Sequence, residues 1–139
     1  MRKRYLICIL IILVIGGRGV FKYKQHNIVK ENLVLKNEII QEMKKNKSVD
    51  FSKITNFDFE FMYVFTPYSV PEKVFNEDKV KCYNSNFNIE LCDDINMIAF
   101  VKSNKFVEYV NIPRKYIDFN KSVKFKKGEA KLSIDNENK

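Results

Sequence analysis

Few residues in this chain are equipped for chemistry, and their spacing narrows the choice further. The only histidine is His26, close to a hydrophobic N-terminal segment. That removes Ser-His-Asp and Cys-His catalysis and any His-based metal site. Four glycines in all, most of them in the hydrophobic N-terminal segment, could not build a phosphate-cradling loop. Asp58 and Glu60 stand two apart on an expected strand, so they can be neighbours in the manner of an acid and a base. Asp93 is a further candidate for such a pair. Asp93-Asp94 with Asn96 reads as a solvated turn rather than a cation loop. Cys82 and Cys92 have nine residues between them, not the two of a redox dithiol; a structural disulfide and two free thiols both remain open. Arg114 and Asp118 read as an ion pair fixing the turn after Pro113, with an anion-binding Arg114 as the sharper alternative. If any polar cluster is a binding site, the expected members are Asp58, Glu60, Tyr68 and Arg114. No catalytic residue, cofactor or metal ligand is assigned.

These groups must be held by elements, and charge shows where the elements lie. Of the formal +8, residues 1–17 contribute +3 and residues 18–47 contribute +5; residues 48–139 carry fourteen charges of each sign. The expected folded domain is therefore neutral. A phosphate-tracking protein needs its cations on the binding module, so nucleic acid is excluded as a partner.

The basic part brackets "YLICILIILVIGG", residues 5–17, which has the layout of a secretory signal. Residues 1–21 are read as a signal anchor, with a cleaved signal peptide as the alternative. A helix from Tyr5 to Phe21 reaches about 25 Å, short of a hydrocarbon core of roughly 30 Å unless Arg18 snorkels. The basic tip is expected to stay inside, leaving a single-pass protein with its C-terminal domain outside. Cys8 lies within the apolar run, without lipobox neighbours, and reads as a packed residue.

Residues 22–47 are expected to form a basic amphipathic stem, helical from His26 to Lys47. Ile28, Val29, Leu33, Leu35, Ile39, Ile40 and Met43 share one arc, wide enough for packing on a sheet rather than for a coiled-coil seam. Residues 48–135 then read as an α+β domain: a four- to five-stranded antiparallel sheet with one short helix, ending in a frayed tail at 136–139. In "FDFEFMYVFTPYS" (residues 57–69), Phe57, Phe59, Phe61, Tyr63 and Phe65 are expected on one strand face as the main core volume. Ser69 and Glu72 suggest a capping box opening a short helix through Val74 and Phe75. "FNIEL", "MIAFV" and "FVEYVNI" read as strands, the last two joined by a tight turn at Asn104. "VKF" and "AKLSI" read as edge strands guarded by lysines.

"FDFEFMYVFTPYS" together with "NMIAFVKSNKFVEYVNIPRKYIDF" resembles a group of small uncharacterised extracytoplasmic proteins of Gram-positive bacteria, many of them lipoproteins. The resemblance spans roughly residues 50–135. This chain has Phe59-Glu60 where the group has Trp-Asp, and it lacks a lipobox. The resemblance implies an extracytoplasmic placement and a partner at the cell envelope, protein or polymer; it implies no activity.

Overall fold

The computed structural model describes residues 22–23, 27–85 and 87–133. The hydrophobic segment 1–21, Cys8, His26 and the C-terminal tail lie outside the described residues. Among the described residues no helix is long and apolar enough to cross a membrane.

A four-stranded antiparallel sheet organises the fold. Its strands are β2 (Phe61–Phe65), β3 (Ile95–Lys102), β4 (Lys105–Pro113) and β5 (Val123–Lys126), in the order β4-β3-β2-β5. That is the spatial order of a Greek key, because β5 returns from β4 to lie beside β2. A separate two-stranded ribbon pairs β1 (Ser48–Asp50) with β6 (Lys131–Ser133). So "AKLSI" forms a strand, but its partner is a segment with no periodic signal, and the main sheet stops at four strands.

Helices cover the two faces. On one face α1 (Leu33–Asn46), the single-turn α2 (Phe51–Ile54) and the β1–β6 ribbon pack over Met62, Val64, Ile98, Phe100, Val110 and Ile112. On the other, α3 (Pro71–Glu77) and a 3-10 turn, Asn88–Glu90, pack over Tyr63, Phe65, Met97, Ala99 and Val101. Asn96 through Val101 are buried, as a central strand covered on both sides requires. Asn96 donates from Nδ2 to the Ile117 carbonyl at 2.6 Å, while its Oδ1 is buried without a partner.

The α1 helix is shorter than its apolar arc suggests. Asn32 caps it, accepting from the Leu35 amide at 2.9 Å, and Lys47 closes it with φ 53 and an N–H to the Met43 carbonyl. Only Leu35, Ile39 and Met43 are buried, one residue per turn, while Leu33 and Ile28 face outward. Residues 27–31, directly ahead of the cap, are not helical. Glu31 forms an isolated parallel bridge with Tyr109, and Val29 exchanges two hydrogen bonds with the Asn84 side chain at 2.9 and 2.7 Å. The Glu31 carboxylate also accepts from the Asn111 backbone and side-chain amides, occupying the outer edge of β4 where another strand would otherwise pair.

The aromatic segment divides between the faces. Phe61, Tyr63 and Phe65 point to the α3 side, as alternation demands, but Phe57 and Phe59 join Phe100 on the α1 side. The chain changes phase at Glu60, whose N–H bonds the Val101 carbonyl and whose C=O accepts from Lys127. "FNIEL" is likewise not a strand. Phe87 precedes a tight 3-10 turn and Ile89 lies within it, both buried, and Leu91 is left 90 % exposed. The β3–β4 turn forms as expected, with Ser103 and Asn104 both at positive φ (48° and 56°).

Candidate functional site

The structure divides the four expected site residues between opposite ends of the sheet. Asp58 sits near the β3–β4 turn, bridged by Lys102 at 2.8 Å and Lys127 at 2.7 Å. These two lysines hold its carboxyl well below the usual range, at about 2. Glu60 stands at the same end, where one carboxylate oxygen accepts from the Ser103 amide at 3.1 Å. A general acid needs a carboxyl that keeps its proton near neutral pH, and Asp58 is shifted the opposite way. Asp93 precedes β3, whose eight residues separate it from Asp58 by roughly 25 Å at the strand rise. Working carboxylate pairs stand within about 10 Å. Asp58 and Asp93 therefore form no acid–base couple, and Asp58 is not the acid of a pair with Glu60.

Tyr68 and Arg114 lie at the other end, where β2 stops and β3 begins. Arg114 is held by Asp118 in a two-pronged ion pair at 2.6 and 2.8 Å, and its Nη1 donates to the Asp93 carbonyl at 3.2 Å. Asp118 first, and Asp93 and then Tyr68 more weakly, raise the guanidinium pKa. The fixing role expected for Arg114 is what the geometry displays: its backbone N–H also bonds Asp94, so the turn after Pro113 is tied to the start of β3. With Asp93, Asp94, Lys115 and Asp118 it lines an open depression of about 630 Å³.

The backbone of Tyr68 is the unexpected feature. The Ser69 amide bonds the Thr66 carbonyl, closing a β-turn with Pro67 in its second position and Tyr68 in its third. Tyr68 has φ 62, the left-handed conformation that a type II turn reserves for glycine. Its ring is 64 % exposed and buries little to offset that strain. The Tyr68 amide bonds the Ile89 carbonyl at 2.9 Å, which sets the turn against the 3-10 segment carrying Leu91. Sequence reasoning missed Leu91 because "FNIEL" alternates like a strand; the Cys92-Asp93-Asp94 turn following it was the available warning. The Ser69–Glu72 capping box does not form. Val70 precedes α3 without a side-chain cap, Ser69 Oγ lies 3.0 Å from Ser122 Oγ, and Glu72 Oε1 is buried without a partner.

Both Cys82 and Cys92 are free thiols. Cys82 follows Lys81, which bridges Lys105 at the turn end of β4, whereas Cys92 precedes Asp93 at the far end. The strands between them span roughly 20–25 Å, against the 7 Å limit for Cα atoms in a disulfide. Burial pushes the Cys82 thiol up to about 11, so it is protonated and unreactive at neutral pH. Among the described residues no group of three or more Cys, His, Asp or Glu side chains is arranged to hold a metal ion.

One polar cluster escaped the sequence altogether. Asp78, just past α3, accepts from the Tyr63 hydroxyl and from Lys124 Nζ, both at 2.6 Å. Lys124 lies over the Phe61 ring at 4.5 Å and the Tyr63 ring at 5.0 Å. Hydrogen bonds from Lys124 and then Tyr63 lower the Asp78 pKa, while burial and then Asp78 raise that of Tyr63. All three groups satisfy one another, so the cluster clasps α3 to β5. Its members are separated by 15 and 46 residues, beyond any local pattern.

Comparison with protein-family models, curated proteins and solved structures gives no match for this chain.

Proposed function

We propose that this chain is a membrane-tethered, extracytoplasmic module of the cell envelope that binds or regulates a partner through the end bearing Tyr68 and Leu91. The tether and the outward placement rest on the basic, apolar layout of residues 1–21 and on the resemblance of residues 50–135 to small envelope proteins of Gram-positive bacteria. The observation that carries the binding reading is Tyr68 itself. A bulky ring held at φ 62 and left 64 % exposed serves folding poorly, and backbone strain of this kind gathers where contact with a partner compensates it. Leu91, 90 % exposed on the adjoining turn, supplies apolar area beside it. Arg114 stiffens the floor and leaves the depression open to a polar group.

Site-specific photo-crosslinking in the native envelope tests this reading. A crosslinker at position 91 is expected to give a discrete adduct that disappears with Tyr68→Gly. No adduct from position 91, together with cell-wall hydrolysis that is lost in Asp58→Asn, would establish the hydrolase instead.

A further inference from the structure

Unpaired cations collect where the chain enters the domain. Lys79 and Lys81 follow α3, and Lys81 bridges Lys105 at the turn end of β4. Lys22 and Lys30 belong to the entering segment, which the Val29–Asn84 hydrogen bonds fasten beside Lys81. All five are exposed, and none makes an ion pair among the described residues. The acids of this end are mostly engaged elsewhere: Asp78 is bound to Lys124, Asp58 to Lys102 and Lys127, and Glu60 accepts from the Ser103 amide, which leaves Glu77 exposed beside Lys79. The opposite end, around Arg114, carries Glu90, Asp93, Asp94 and Asp118 against Arg114, Lys115, Lys121 and Lys44, the last lying over the Tyr116 ring. Charge is balanced at the Arg114 end, and the excess of cations lies at the entry end.

Amphipathic aromatics stand among these lysines. The Tyr23 and Tyr83 rings meet edge-on at 6.0 Å and are 61 % and 37 % exposed, with Ile28 exposed alongside. Tyrosines with one apolar and one wet end, interleaved with lysines, suit the headgroup layer of a bilayer. We infer that this end of the domain docks on an anionic lipid surface, with Lys79, Lys81 and Lys105 contacting headgroups and Tyr23 and Tyr83 resting at the interface. The inference rests on the tether reading, because an anchor at residues 1–21 brings this same end to the bilayer. Docking there points Tyr68 and Leu91 away from the membrane, toward a partner in the envelope. Each lysine near an anionic leaflet is worth about a fivefold change in partition, and the effect fades as salt shortens the Debye length.

The chain has no tryptophan, so Tyr83→Trp and Tyr68→Trp are single reporters for the two ends. Each full-length variant is incubated with phosphatidylcholine vesicles or with phosphatidylglycerol-containing vesicles, then floated, and its emission and quenching by brominated lipid are read. Tyr83→Trp is expected to shift to the blue and quench only on anionic vesicles, while Tyr68→Trp stays silent. Lys79→Gln, Lys81→Gln and Lys105→Gln combined are expected to lower the docked-to-free ratio about a hundredfold at that fivefold per lysine, with the circular dichroism spectrum unchanged. A Tyr83→Trp signal identical on both vesicles, or a Tyr68→Trp response equal to it, overturns the docking face. Failure to float with phosphatidylcholine overturns the tether instead; flotation on anionic vesicles alone then leaves the face standing without its anchor.

Discussion

Phe65→Ala and Phe61→Ala, made side by side, test whether alternation in the aromatic strand measures burial. Phe65 is 1 % exposed; its ring stacks on Tyr63 at 5.9 Å and meets Phe75 edge-on at 5.5 Å. Removing a buried phenyl ring costs about 3–5 kcal/mol, and two ring pairs of about 0.5–1.5 kcal/mol each favour the upper end. Phe61 shares the face but is only half-buried, with Lys124 lying over it. Its loss removes part of that transfer energy and one cation–π contact, for about 1–2 kcal/mol. At roughly 4 °C per kcal/mol for a domain near this size, the melting temperature is expected to fall by about 12–20 °C for Phe65→Ala and about 4–8 °C for Phe61→Ala. Urea titration followed by circular dichroism gives the energies independently. Equal losses in the two variants would refute the reasoning, since the depth of the face would then have no bearing on cost.

Tyr68→Gly is expected to raise stability by up to about 1 kcal/mol, because glycine adopts the left-handed turn position without strain; calorimetry with the crosslinking readout separates this gain from loss of binding. The Asp58 carboxyl, lowered to about 2 by Lys102 and Lys127, stabilises the fold above the unfolded carboxyl range near 3.9. That contribution disappears as pH falls through about 2, so Asp58→Asn is expected to flatten the melting-temperature profile between those values. Alkylation of the Cys82 thiol is expected to accelerate only as pH approaches about 11, and oxidation should leave no Cys82–Cys92 bond by mass spectrometry. Arg114→Ala should leave the melting temperature nearly unchanged, because an ion pair this exposed to solvent is weakly stabilising.

What was legible in the sequence was whatever local physics decides. The β3–β4 hairpin could be read because Ser103-Asn104 accepts positive φ between two apolar runs, and β3 because a continuous apolar run suits a strand covered on both sides. The α+β class followed from those runs and from the period of α1. Long-range packing decided the rest. Phe57 and Phe59 leave the face of Phe61 because Glu60 is pinned between Val101 and Lys127, contacts about 40 and 67 residues away along the chain. The three-residue strands of the β1–β6 ribbon are too short for any period to register. "FNIEL" has three apolar residues at alternate positions, which a tight 3-10 turn accommodates as well as a strand does. At the candidate site, the sequence singled out Tyr68 and Arg114 by their prolines but grouped them with Asp58 and Glu60, because nothing local reveals that β3 stands between the two pairs.

The hydrogen bonds that fasten residues 29–32 to the domain give the molecule a definite mechanical character. Asn32 bonds the Tyr109 carbonyl, Glu31 holds Asn111, and Val29 is clasped by Asn84. The segment runs parallel to β4 at Tyr109. A pull on the N-terminus along that direction therefore strains these bonds together, in shear, instead of opening them one at a time. The first structure to yield would be this clamp, and its rupture would bare the β4 edge for pairing with another strand. The residues that now close the sheet are thus also the ones that keep the β4 edge from taking another strand.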